Sequence, residues 1–200
     1  AMIFQDFNII ENLTVLENVE LALLRLEDKK ERRRIAEELI EKVGLTAQKN
    51  RRGSKLSGGE KQRTVIARAL AKDSPIILAD EPTGNLDVKA SKEVAALLKE
   101  VSKDKLVIVV THNPEFFVEY ATRRVTIFDG SVKEDKLVKS PEPASENAGA
   151  GEIKTSKKLD FKNTWHIGTL NYKSRPKFTV MMSFALFVCA ITLFLVIAVF

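Results

Sequence analysis

The sequence predicts an α/β layered domain, then a linker and one membrane-crossing helix. Three observations carry that reading. Two short continuous apolar runs, Ile76-Ile77-Leu78-Ala79 and Leu106-Val107-Ile108-Val109-Val110, have the length and composition of parallel strands buried on both faces. Between them Val94, Leu97, Leu98 and Val101 make one helical stripe, so strand, helix and strand alternate. No charged side chain occurs from Phe178 to Phe200, a run long enough to cross a hydrocarbon core of about 30 Å.

The remaining elements follow in chain order. Ala1-Met2-Ile3-Phe4 reads as the middle of a strand. Thr14-Val15-Leu16-Glu17 fits a capping box, which predicts a helix from there to about Leu26. Ile35, Leu39 and Val43 at four-residue spacing predict a second helix, with Gly44 as its stop. Its run Lys29-Lys30-Glu31-Arg32-Arg33-Arg34, followed by Glu37, Glu38 and Glu41, reads as a solvated face. Ser57 is a candidate N-cap for a third helix through Val65, Ile66, Ala69 and Leu70, which Pro75 ends. Arg124 to Asp135 reads as a hairpin turning at Asp129-Gly130.

Residues 1–137 therefore form the expected domain. Residues 138–160, rich in Pro, Ser, Gly, Ala and charge, form a linker that buries too little apolar surface to offset ordering. Residues 161–177, with Phe161, Trp165, Ile167 and Leu170, suit a membrane surface, and 178–200 the membrane helix. Lys173, Arg175 and Lys177 place the amino-terminal side of that helix in the cytoplasm. The chain carries 32 basic and 27 acidic residues, a net charge of +5, too small an excess to argue for nucleic acid. A single cysteine, Cys189 in the apolar run, excludes an intramolecular disulfide and a cysteine-rich metal site. The strand-like start and the apolar end at Phe200 suggest a segment of a longer protein.

Five stretches in fixed order carry the chemistry: Gln5 in FQDFN, LSGGEKQR at 56–63, IILADEPT with Asp80 and Glu81, TGNLD ending at Asp87, and His112 in VVTHN. Asp80 and Glu81 emerge where a strand ends, the place where ligands gather in open parallel sheets. A carboxylate there can hold Mg²⁺ through water, and a second can polarise a water attacking a γ-phosphate. His112 ends the next strand and could hydrogen-bond that phosphate. Gln5 could ligate Mg²⁺ or contact water. Ser57, Gly58 and Gly59 open a helix whose free N–H groups favour an anion. Singly, each also fits an acidic turn, a structural histidine or a simple capping turn.

In this order the stretches resemble the nucleotide-binding domain of ABC ATPases from residue 1 to about 135. The resemblance implies a partial P-loop NTPase fold with a helical subdomain, and ATP and Mg²⁺ as ligands. By it, Gln5 is the Q-loop glutamine, and Leu56 to Gln62, including Ser57, Gly58, Gly59 and Glu60, form the signature motif. Asp80 is then the Walker B aspartate, Glu81 the catalytic glutamate, Asp87 the D-loop aspartate and His112 the switch histidine. Asp80 and Gln5 would serve the metal. Within the family the segment looks like the branch of macrolide exporters, lipoprotein-release ATPases and the cell-division ATPase. Such proteins dimerise, so the signature loop of one copy would close on ATP held by the other. A membrane location, a multi-pass full protein and an extracytoplasmic partner are implied as well.

The alternative within this branch is a regulator of cell-wall hydrolysis rather than a pump, and the substrate stays open. Soluble ABC ATPases of DNA repair or translation are disfavoured by Phe178–Phe200. The family's phosphate loop, G-x-x-x-x-G-K-[ST], does not occur in these 200 residues, so this segment by itself is expected to hydrolyse little or no ATP.

Overall fold

Both apolar runs become parallel strands. The computed structural model describes residues 1–139, and in it β1 (Met2–Ile3), β2 (Ile76–Asp80) and β3 (Leu106–Val110) lie side by side in that order. Ile3 stands opposite Ala79, and Ala79 opposite Val109, so the three strands end at one edge. The expected linker from residue 140 onward, the surface segment 161–177, the membrane helix 178–200 and Cys189 lie outside the described residues. Among the described residues no helix is long and apolar enough to cross a membrane.

The strands depart from the expectation in one respect: they are buried on one face, not two. Ile3, Ile77 and Ala79 are buried and join a core with Val65, Ile66 and Leu70 of α3 (Gly58–Ala71) and Val94 and Leu98 of α4 (Val88–Val101). On the other face Met2, Ile76, Leu78, Leu106, Ile108 and Val110 are exposed. A continuous apolar run shows that a strand suits burial on both sides. It does not supply the layer that would cover the second side, and no described element does.

Before β2 come three helices. α1 (Val15–Ala22) begins with the expected capping box: the Glu17 N–H donates to the Thr14 hydroxyl (3.2 Å), and the Thr14 N–H to the Glu17 carboxylate (2.8 Å). It stops short of Leu26, because the Leu23 N–H turns to the Glu20 carbonyl three residues back (3.0 Å). The apolar pattern nevertheless continues, and Leu23 and Leu24 remain buried beyond the helix. In α2 (Lys29–Lys42) the charged face is laced by Arg33–Glu37, Arg34–Glu31 and Arg34–Glu38 pairs, all exposed.

Gly44 ends α2 as expected. Its φ of +69° lets the Leu45 N–H reach the Ile40 carbonyl and its own N–H reach that of Glu41, each at 2.9 Å. After β3, β4 (Arg123–Phe128) and β5 (Ser131–Leu137) form the hairpin. Asp129 and Gly130, at φ +46° and +69°, make the left-handed two-residue turn that matches strand twist.

Candidate functional site

The chemistry collects where the three strands end. Glu81 follows β2 directly and adopts φ +44°, a left-handed conformation that costs a non-glycine residue roughly 1–2 kcal/mol. Its N–H still pairs with the Val110 carbonyl at 2.9 Å, so β3 holds the turn. The carboxylate is thereby delivered to the residues just past β3. Thr111 Oγ1 donates to Glu81 Oε2 at 2.9 Å. The His112 N–H, at 2.8 Å, and ring Nδ1, at 2.7 Å, both meet Oε1.

The Glu81 side chain is 14% exposed, whereas the His112 side chain is 71% exposed. Burial pushes the Glu81 carboxyl up. The hydrogen bonds from the His112 ring, the His112 amide and the Thr111 hydroxyl, with the charge His112 can carry, outweigh it and hold the group below the ordinary carboxylate range. Asn113 completes the cluster: its N–H donates to Thr111 Oγ1 (3.0 Å), and its Nδ2 lies 3.2 Å from His112 Nε2.

Asp80 ends β2 and, by strand alternation, shares the open face with Ile76 and Leu78. It is exposed, and its carboxylate has no hydrogen-bond or ion-pair partner among the described residues. Gln5 lies two residues past β1. Its carbonyl accepts from Asn85 Nδ2 (3.4 Å), and its Nε2 is 3.6 Å from where a Cβ on Gly84 would sit. The loop after Gln5 is anchored by Arg68 Nη1 to the Asn8 carbonyl (2.5 Å) and by buried Asn18. The latter accepts from the Ile10 N–H (2.9 Å) and donates to the Ile10 carbonyl (3.0 Å). Gln5, Asp80, Glu81 and His112 are thus brought to one edge.

The donor set there suits Mg²⁺. The partnerless Asp80 carboxylate and the Gln5 amide are hard oxygen donors, and no cage of three His, Cys, Asp or Glu side chains forms among the described residues. Mg²⁺ needs only one or two protein ligands when water and phosphate fill its other positions.

LSGGEKQR, residues 56–63, forms the start of α3. Ser57 caps it: the Glu60 N–H donates to Ser57 Oγ (3.3 Å), and the Ser57 N–H to the Glu60 carboxylate (2.8 Å). Glu60 also pairs with Arg51 at 3.4 Å. The amides of Gly58 and Gly59 have no acceptor among the described residues, as an anion site requires. The two missing Cβ atoms have a second use. A Cβ on Gly58 would lie 3.2 Å from Leu86 Cδ2, and one on Gly59 3.0 Å from the Ala90 Cβ. The close approach they permit within this chain is to residues 85–90. Asp87, within that stretch, caps α4 by accepting the Ala90 N–H at 2.8 Å.

Two residues of the cluster, Thr111 and Asn113, were not among the sequence candidates. Their only signal was position: a hydroxyl and a carboxamide flanking His112 in VVTHN.

Residues 1–84 match the family model described as ABC transporter. An ABC transporter ATP-binding protein of Thermotoga maritima is 47% identical over 135 residues, covering 66% of this chain and 57% of that one. A solved structure, the ATP-binding cassette MJ0796 as a post-hydrolysis dimer bound to ADP and Pi, superposes with a TM-score of 0.61 at 39% identity. That match covers 70% of this chain and 62% of the cassette. The matched stretch is similar to ABC transporter ATP-binding domains. A macrolide export ATP-binding/permease protein of Chlorobaculum tepidum is 38% identical over 137 residues, covering 68% of this chain and 21% of that protein. The chain thus spans less than two thirds of the relatives it matches. Export and cell-division types are not distinguished by these matches.

Proposed function

We propose that the chain is the ATP-binding and ATP-hydrolysing part of a membrane ABC transporter, working as a homodimer with shared ATP sites. The observation that carries it is Glu81: a largely buried carboxylate at the end of a parallel strand, kept charged by three donors, beside a partnerless Asp80. Bound Mg²⁺, held by Asp80 and Gln5, would neutralise phosphate charge. Glu81 orients the attacking water and accepts its proton, and His112 hydrogen-bonds the transferred phosphoryl group. Ser57, Gly58, Gly59 and Glu60 form the helix start that meets the nucleotide held by the second copy. Asp87 caps α4, and its neighbours Leu86 and Ala90 pack against this helix start. MJ0796, a dimer in its solved form, supports the two-copy arrangement.

Attachment to the membrane rests on the charge-free run Phe178–Phe200 and its basic amino-terminal flank. The macrolide-export relative favours coupling of ATP-driven closure to export or to an extracytoplasmic partner. Nucleotide titration and phosphate release in the full-length protein test the assignment. Glu81→Gln should bind ATP yet lose turnover by at least about 10²-fold, the scale of a lost general base. Wild-type turnover in that variant would sink it. Efflux assays set beside division morphology in a deletion strain separate a pump from a regulator of cell-wall hydrolysis.

A further inference from the structure

We infer that Thr111 and Asn113 are positioning residues for the Glu81–His112 pair, one locking the carboxylate and the other bracing the far side of the ring. A neutral imidazole carries one ring proton, and an ionised carboxylate can only accept. With Nδ1 at 2.7 Å from Glu81 Oε1, the proton sits on Nδ1. Nε2 is then a lone pair, and what faces it at 3.2 Å is a donor, the Asn113 Nδ2 amide. The contact on the far side of the ring agrees with the tautomer that Glu81 selects. Tautomer choice through the second ring nitrogen is a general way of fixing what a histidine can do.

Thr111 is fixed by the same logic. Its hydroxyl has one proton and can accept as well as donate. The Asn113 N–H occupies a lone pair of Oγ1 at 3.0 Å, and the proton goes to Glu81 Oε2 at 2.9 Å. The carboxylate is therefore held at both oxygens, Oε1 by His112 and Oε2 by Thr111, and cannot rotate without breaking a hydrogen bond to a charge. The bonds from Asn113 through Thr111 to Glu81 run in one direction, so each strengthens the next. In this arrangement Nε2, on a largely exposed ring, presents a lone pair outward. A phosphate oxygen, itself an acceptor, is received there only once the Asn113 amide turns away and Nε2 gains a proton.

The kinetic half of the test rests on the proposed ATPase reading; the spectroscopic half does not. Nitrogen NMR on the full chain labelled at histidine reads the protonation of each ring nitrogen at neutral pH. The chain has two histidines, and His166→Gln assigns the other. The expected result is His112 protonated at Nδ1 and bare at Nε2. Asn113→Leu, close in volume but without a donor, should shift the Nε2 resonance while the Nδ1 proton stays directed at Glu81, and Asn113→Asp should bring a second proton to Nε2. Thr111→Val should shift the Nδ1 proton resonance toward that of an unpaired ring, and Thr111→Ser should restore it. A proton on Nε2 in the wild type, or a Thr111→Val spectrum identical to it, would overturn the inference whether or not ATP is hydrolysed. In turnover, Thr111→Val should lower kcat about tenfold at unchanged KM for ATP, as expected for losing a hydrogen bond to a charged group, with Thr111→Ser restoring it. Unchanged kcat in Thr111→Val, where Glu81→Gln abolishes turnover, would remove Thr111 from the machinery while leaving the ATPase reading intact.

Discussion

At Glu81 two influences oppose each other: burial disfavours the charge, while His112 and Thr111 supply donors that need it. The donors win, so the carboxylate arrives charged and oriented. Asp80, one residue earlier, has the opposite surroundings, exposed and partnerless among the described residues, as suits a metal ligand. Asp80→Asn should therefore raise the Mg²⁺ concentration needed for half-maximal nucleotide binding in the full-length protein, without unfolding the domain. A titration of nucleotide binding against Mg²⁺ checks it. Away from the site, Arg123 grips Asp135 with two hydrogen bonds, 2.9 and 2.6 Å, across the hairpin. Those bonds hold the Asp135 carboxyl below the ordinary range. A depressed carboxylate stabilises the fold above its unfolded value and ceases to do so as pH falls through its folded value. Carbon NMR should find Asp135 titrating below an exposed aspartate, and Arg123→Ala should return it upward.

Among the elements, α3 and α4 meet where glycine permits contact. The Cβ of Gly59→Ala would come to 3.0 Å from Ala90, both anchored to helix backbone. Overpacking of this kind costs about 1–3 kcal/mol, so a denaturant melt should show that loss. In Gly59→Ala with Ala90→Gly, the combined loss should fall below the sum of the single changes. Asn18 has a comparable role for the loop after Gln5. It is buried and pairs with Ile10 through both ends of its amide. Asn18→Ala should destabilise by roughly 1–3 kcal/mol, since it leaves the half-buried Ile10 N–H without its acceptor. Neither contact was legible in the sequence. The helix starts at Thr14 and Ser57, the stop at Gly44 and the Asp129-Gly130 turn were, because each depends on neighbouring residues alone.

For the whole molecule, residues 57–60 carry backbone groups that a second copy could meet. The free amides of Gly58 and Gly59 open α3, while Ser57 and Glu60 satisfy one another. If a second copy supplies the nucleotide, Ser57→Arg in the full-length protein should bind ATP as a monomer and fail to dimerise around it. Light scattering with and without ATP checks this, and normal dimerisation would refute the shared site. The sequence by itself determined the α/β class, the order of strands and helices, the capped helix ends and the candidate residues Gln5, Ser57, Asp80, Glu81, Asp87 and His112. Those follow from periodicity and motif order, which act over a few residues. Only the tertiary structure decided that one sheet face lies open among the described residues. It alone decided that Gly58 and Gly59 make room for residues 85–90, and that Thr111 and Asn113 hold the Glu81–His112 pair. Each of these is a contact between segments far apart in the chain or a direction taken by a side chain. Local sequence carries neither until the strands are paired and their ends brought to one edge.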